Sequence, residues 1–322
     1  MIKFKKLYIS VLSLVFFILI FGTVTYAWVS LATINSIDGL SLTASTGEEL
    51  QISVDGINYS NVLTSEQLEL LFGEISLTDI TSLDGIHFFN GGLKGTGPAV
   101  QNEQYLSFDL WFKTTSQQHS VYLVSNVSDK ISYDTTMPGT YVVSRGVNWR
   151  SEETFQYGPD ENDIVYRGDR NIYYASEAIR FSFIEIKDEE NQLDSRLEDE
   201  LSTWIYDPSE NAERGYGLGY GAFDYYNKRI RIKLNLPHQF PSTSYRLSHF
   251  DENNPYQALD NESKIMSLVE SEEKDNQERT FYKGKVRVNI WVEGWDADAF
   301  DPINNDRVKI QLQFKALNPV IE

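Results

Sequence analysis

Four stretches in the second half of the chain alternate apolar and polar residues almost without interruption. They are Ile179-Arg-Phe-Ser-Phe-Ile-Glu-Ile186, Arg229-Ile-Arg-Ile-Lys-Leu-Asn-Leu236, Lys285-Val-Arg-Val-Asn-Ile-Trp-Val292 and Arg307-Val-Lys-Ile-Gln-Leu-Gln-Phe314. Successive side chains of a β-strand point to opposite faces, so this pattern gives one buried face and one wet face. Val286, Val288, Ile290 and Val292 share a face, as do Val308, Ile310, Leu312 and Phe314. One wet face is the mark of antiparallel sheets, because parallel sheets are covered on both sides. The runs 50–54, 105–112, 120–124 and 141–144 read the same way. Two half-buried sheets must cover each other, so the expected fold is all-β, an antiparallel β-sandwich.

Helical signals are few. Residues 65–72 open on a capping serine, Ser65, and allow about two turns. Leu193, Leu197, Leu201 and Trp204 stand at helical spacing with acids opposite, which predicts a second short helix. The polar stretch 259–278 reads as a short helix or a loop. Long connections at 145–176, 187–228 and 240–280 are where function tends to reside. No repeat at a fixed period and no linker composition divides residues 28–322, so one elaborated domain is expected.

The first 27 residues are of another kind. Lys3, Lys5 and Lys6 precede an apolar run from Leu7 to Val24, and no charge occurs between Lys6 and Asp38. This is the layout of an export signal. Eighteen residues of helix span about 27 Å, close to the hydrocarbon core of a bilayer. Thr25 and Ala27 are small enough for signal peptidase. Two fates follow: cleavage between Ala27 and Trp28, or retention of residues 7–24 as a transmembrane anchor. Either way the lysines stay cytoplasmic and residues 28–322 lie outside. No Leu-Pro-x-Thr-Gly motif is present, so the expected means of retention is the N-terminal helix.

Three of the 28 basic residues lie in 1–27 and none of the 47 acidic ones does, so the remainder carries a formal charge of −22. Such a surface repels nucleic acid and anionic lipid. There are no cysteines, which removes thiol catalysis, thiolate zinc and iron–sulfur chemistry. His87, His119, His238 and His249 show no metal-ligand spacing, no Gly-x-Ser-x-Gly elbow occurs, and Gly91–Gly97 lacks the ending of a phosphate loop.

Two segments stand out as candidate sites. Glu293, Asp296, Asp298 and Asp301 lie close together in Glu293-Gly-Trp-Asp-Ala-Asp-Ala-Phe-Asp301. Carboxylates at such spacing can converge on calcium, which wants six to eight oxygens; the plainer reading is a turn with aspartates capping amides. Gly215-Tyr-Gly-Leu-Gly-Tyr-Gly-Ala-Phe-Asp-Tyr-Tyr226 mixes pliant backbone with rigid rings. Tyr216, Tyr220, Tyr225 and Tyr226 there suit contact with a protein or sugar; the plainer reading is a Gly-rich strand with its rings packed on a sheet.

Three patches carry a family likeness: Tyr26-Ala-Trp-Val-Ser30 leading to Ile37–Ala44 and Leu50–Val54; Ser82-Leu-Asp-Gly-Ile-His-Phe88 with Ala178–Phe183; and Val288–Asp298 before the last strand. In these the chain resembles exported proteins of Firmicutes and Mollicutes that have an N-terminal signal or anchor and a β-rich body. It is distantly similar to the TasA and camelysin group of biofilm-matrix and surface proteins. That resemblance implies a jelly-roll-like sandwich and fibre assembly; no His-Glu-x-x-His motif of the metallopeptidase kind is present.

The expectation is a non-enzymatic extracellular or membrane-anchored protein of structural or matrix type, self-associating through the segment from Trp28 to Ala44. The alternative is a surface module that binds a glycan or protein ligand, with calcium as the only cofactor in view. A hydrolase whose acid pair is assembled only in space is the third reading.

Overall fold

The computed structural model describes residues 34–45, 50–73, 75–90, 97–231, 233–318 and 320. Residues 7–24, Ala27 and Trp28, on which the export, anchor and cleavage expectations rest, lie outside that set. Among the described residues, no helix is long and apolar enough to cross a membrane.

The chain is mostly β. In order it forms β1 (Ile34–Ala44), β2 (Gln51–Ser53), β3 (Val62–Leu63), helix α1 (Ser65–Phe72), β4 (Ser76–Thr81), β5 (Phe89–Asn90) and β6 (Leu106–Thr114). Then come β7 (Ser120–Leu123), β8 (Tyr141–Ser144), β9 (Val147–Arg150), β10 (Phe155–Gln156), β11 (Ile164–Val165), β12 (Arg170–Tyr173), β13 (Ile179–Ile186) and β14 (Thr203–Tyr206). Helix α2 (Ala222–Ile230), β15 (Thr243–Ser244), β16 (Lys264–Ser267), β17 (Val269–Lys274), β18 (Thr280–Glu293) and β19 (Arg307–Leu317) complete it.

Fifteen strands belong to one sheet, whose longest path runs β15-β14-β13-β18-β4-β1-β19-β7-β16. β4 joins its two halves: Ser76–Thr78 pair with β1, and Asp79 and Ile80 pair with β18. The sheet curls so that the apolar faces of the two halves meet. Phe314 of β19 packs edge-on against Phe112 of β6 and Phe183 of β13, with ring centroids 5.1 and 6.2 Å away. These rings belong to one large core shared by both halves, where truncating a buried Phe to Ala costs about 3–5 kcal/mol.

The structure departs from expectation in four ways. Three pairings are parallel, β1–β19, β4–β18 and β14–β15. A hairpin forces its strands antiparallel, but β1 and β19 are far apart in sequence and meet free of that constraint.

Second, the outer face of β18 is dry. Every residue from Asn289 to Glu293 is buried, although Asn289, Trp291 and Glu293 alternate with the apolar set. A second layer covers them: Phe88, Tyr105, Ile80 and Ile205 pack on Trp291. The Ser82–His87 turn closes over Asn289, whose amide donates to the carbonyl of Gly85 at 3.2 Å and to Ser182 Oγ at 3.0 Å.

Third, the run 229–236 is not a strand. Its first two residues end α2, and Arg231 stops the helix in the left-handed conformation at φ 55°. The helix wins because Ala222 and Tyr225 bury one face while Lys228 pairs with Asp224, four residues back, at 2.6 Å.

Fourth, the helix expected over 193–204 is a single 3-10 turn at Glu198–Glu200 followed by β14. Leu193 and Leu197 are exposed rather than forming an apolar stripe. Arg196 holds this segment against the sheet, pairing with Glu185 and with both oxygens of Asp194 at 2.7–2.8 Å. The polar stretch 259–278 supplies β16 and β17. The helix expected at 65–72 forms, with Thr64 as its N-cap in a reciprocal capping box with Gln67.

Candidate functional site

The loop after β18 carries the acidic residues, and the structure sends each to its own donor. Asp296 pairs with Arg180 of β13, whose guanidinium also meets Asp207 at 2.6 Å. Asp298 takes a two-point clamp from Arg214, Nε to Oδ2 at 2.7 Å and Nη2 to Oδ1 at 2.6 Å. Asp301 pairs with Arg229 of α2 and accepts hydroxyls from Tyr225 at 2.8 Å and Tyr226 at 3.3 Å. Glu293 accepts the Trp291 indole N–H at 3.0 Å and the Trp295 amide at 3.1 Å.

Three arginines from three elements thus each pair with one aspartate of the loop. Among the described residues, no group of three or more His, Asp or Glu side chains is placed to hold a metal. Arg180, Asp207 and Asp296 are all at most 2 % exposed. Removing one partner of such a pair leaves an uncompensated buried charge, at a cost of about 3–5 kcal/mol.

The tyrosine-rich segment is likewise absorbed into the fold. Tyr225 is fully buried among Phe155, Trp149 and Phe300. Tyr216 is buried and packs edge-on to Phe240. Tyr226 is half-buried over Asp301, and Tyr220 gives its hydroxyl to the carbonyl of Glu213. Tyr225 and Tyr226 meet over Asp301, while Tyr216 and Tyr220 turn to other partners.

What the structure opens to solvent lies elsewhere. A cleft of about 870 Å³ is walled by the 3-10 turn Ser128–Lys130 with residues 131–134, by β8, by the 3-10 turn Ala175–Ala178, and by Pro208–Glu210 after β14. Serines 128, 132, 144, 176 and 209 and Asn126 make its lining polar; Tyr133 and Tyr174 add rings. Asp129, Lys130, Asp134, Arg145 and Glu210 are exposed at its edge.

Glu177 lines the same cleft and is half-buried. Its carboxylate makes no hydrogen bond or ion pair with the described residues. Burial, reinforced by Asp298 and Asp207 and opposed by Arg214 and Arg180, pushes it up to about 7. The same arginine network thus lies directly behind the cleft. Ser209 joins the two, its amide and hydroxyl bonding Asp207 Oδ1 at 2.9 and 2.7 Å.

The backbone around the cleft is shaped by close contacts. Gly146, at φ +81°, lies against the Tyr174 ring, and a Cβ there would stand 2.6 Å from that ring. Asp306 ties this wall together, accepting the amides of Gly146 at 3.0 Å and Ala175 at 2.9 Å.

Sequence reading did not find the cleft. Part of its wall comes from the long connections 145–176 and 187–228, which length alone had marked; residues 126–134 and β8 supply the rest and carried no such mark. The remaining signal was an acid, Glu177, three residues before Arg180 of an alternating strand. No protein-family model, no curated protein and no solved structure matches this chain. The likeness to exported proteins of Firmicutes and Mollicutes rests on the quoted sequence patches, and the distant one to the TasA and camelysin group on the signal region and β-rich body read from the sequence.

Proposed function

We propose that this is a non-enzymatic binding module of the cell exterior, released or anchored by its N-terminal segment, which takes a polar ligand of glycan type in the cleft beneath Glu177. The observation that carries this reading is the cleft itself: a large, polar concavity lined in part by a half-buried carboxylate, Glu177, that pairs with none of the described residues. Its volume falls within the 300–1,000 Å³ typical of ligand sites. Hydroxyl and amide groups around a ring suit a polyhydroxylated ligand better than an apolar anchor. The curled sheet is read as a jelly-roll-like sandwich that holds the walls rigid. Calcium has no role in this reading, since arginines already engage the acidic loop.

The rival reading, a matrix subunit assembling by donation of the segment Trp28–Ala44, has less to support it. Residues 36–44 pair inside their own sheet, in register with Arg307–Phe314 of β19. A donated strand would have to leave that position first.

The test is a panel of glycan oligomers and peptides against the full chain and its Tyr174→Ala variant. A glycan should bind and weaken about tenfold or more in the variant, with the circular dichroism unchanged. A blank panel, or binding indifferent to Tyr174, would remove the cleft from the function, and filaments without ligand binding would favour the matrix subunit.

A further inference from the structure

Glu177 is not paired, and the groups behind it do not neutralise it. Arg180 and Arg214 are the two cations of the buried network; Asp207, Asp296, Asp298 and Glu293 are its four acids. Arg180 is spent between Asp207 and Asp296, and Arg214 on both oxygens of Asp298. Glu177 therefore has behind it more acids than cations in a low-dielectric interior, where burial pushes Asp207, Asp296 and Glu293 up and a cation outside would be favoured.

A buried carboxylate is stable when it is paired and costly when it is not. Within the described residues Glu177 has no such partner and it faces the cleft, so the partner is solvent until a ligand displaces it. A neutral sugar would offer hydroxyl donors but leave the charge standing. An anionic ligand would meet repulsion from the floor and from a body carrying −22. An ammonium offers both the charge and three donors, and its bonds to a carboxylate are of the strong, charge-assisted kind.

Resting on the binding reading above, we propose that the ligand class of this cleft is an amino sugar with a free amine, a glucosamine-type oligomer, whose ammonium docks on the Glu177 carboxylate. Asn126 is already engaged by Tyr206, Pro208 and Ser128, so the sugar hydroxyls meet the hydroxyl oxygens of the wall serines, which keep a lone pair to accept with. Lys130 and Arg145 line the same cleft and are exposed, and neither pairs with Glu177.

The test uses isothermal titration of the full chain with a glucosamine tetramer, with its fully N-acetylated counterpart, and with a tri-lysine peptide. The glucosamine tetramer is expected to bind at least tenfold more tightly than the acetylated one. Glu177→Gln, which keeps the shape and removes the charge, should abolish that difference. It should fold at least as well as the parent at pH 8, because it removes a carboxylate that is costly to ionise in place.

Equal binding of the two tetramers would overturn the amino-sugar assignment while leaving the binding module standing. A preference for the amine that survives in Glu177→Gln would overturn the role of Glu177. A lysine peptide that binds as tightly, with the same dependence on Glu177, would overturn the sugar and move the ammonium to a protein partner. Silence of all three ligands, with another glycan on the panel binding, would overturn the ammonium; silence of the whole panel would remove the binding reading itself.

Discussion

The motif Ser-x-Asp-Gly followed by Ile or Leu occurs at Ser36–Leu40, Ser53–Ile57 and Ser82–Ile86, and two of these copies share a structure that the third does not. At Ser53 and Ser82 the chain makes the same turn. The serine hydroxyl takes the glycine amide, at 3.0 and 2.9 Å. The aspartate takes the next two amides, Ile57 and Asn58 in one case and Ile86 and His87 in the other, all at 2.7–2.8 Å. The glycines sit at φ +72° and +71°. The flanking pairs Ile52↔Ser60 and Thr81↔Phe89 span the same distance.

At Ser36 the same residues run through β1 with only a bulge between Ile37 and Gly39. Asp38 turns away from its own backbone to the Tyr133 hydroxyl and lies 3.9 Å from Arg307. The difference is that β19 runs beside β1 through the whole motif, while β4 reaches only its first residue, Ser36. Ladder bonds to β19 outweigh what a local Asx turn offers.

The two turns differ in turn. Gly56 is at the surface, with the Trp111 ring 3.2 Å from where a Cβ would stand. Gly85 is buried, with Ser182 Cβ at 2.8 Å and Ile205 Cγ1 at 3.0 Å from that point. It is here that the Ser82–Phe88 patch meets the Ala178–Phe183 patch, through Ser182 Oγ donating to Gly85 O at 2.7 Å. One local structure serves as a surface turn in the first case and as the lid of a core in the second.

The comparison can be broken most forcefully at Gly85. Gly85→Ala should cost about 3–5 kcal/mol, adding a left-handed alanine to an overpacked contact. Urea denaturation would measure it, and a loss below that of Gly56→Ala would show that packing is not what separates the turns. Gly56→Ala should cost less, about 1–2 kcal/mol, because the backbone penalty remains while the neighbour is the face of one ring near the surface.

The pH dependence comes next. Hydrogen bonds from the Asn58 amide and side chain and the Ile57 amide lower Asp55. Burial pushes Asp84 up, but the His87 amide and ring and the Ile86 amide outweigh it and hold it at about 2. Lowered carboxylates give stability that is present above their unfolded value and lost as pH falls through the folded one. Glu177 and Glu293 are the opposite case, both raised to about 7 chiefly by burial. Their contribution is complete below about 4.5 and is lost as pH rises through 7. A melting-temperature profile should therefore fall on both sides of mildly acidic pH. Asp84→Asn should flatten the acid limb and Glu177→Gln the alkaline one; a profile in which either variant leaves its limb unchanged would mean that group does not carry it.

The smallest effect is expected at the third copy. Gly39 has its nearest neighbour, Ser65 Oγ, at an ordinary 3.5 Å. Gly39→Ala should be neutral or stabilising by about 0.5 kcal/mol, since alanine loses less entropy than glycine in a strand. A large loss there, by the same denaturation measurement, would place this copy with the turns after all.

Much of the sheet was legible before any coordinates. The run 179–186 forms a strand with those bounds, and 285–292 and 307–314 lie within longer strands, because a period of two has one physical solution when neighbours are available. The run 229–236 alternates as well and is not a strand. Alternation states what a segment would bury, not whether a partner stands beside it. The acidic loop was legible as a concentration of charge, but its counter-charges were not: Arg180, Arg214 and Arg229 lie 116, 84 and 72 positions before Asp296, Asp298 and Asp301.

By itself, then, the sequence determined the β-rich body, the acidic balance and the short helix at 65–72, though not that Thr64 rather than Ser65 caps it. These depend on the period of side chains along a strand and on hydrogen bonds between residues two to four apart. Only the tertiary structure decided that Asn289, Trp291 and Glu293 lie in a dry layer, that arginines meet the aspartates of the acidic loop, that Tyr225 is core, and that Glu177 lines a cleft without a partner among the described residues. Each of those is set by residues far apart in the chain, and what a carboxylate does depends on which charges and how much water the fold leaves next to it.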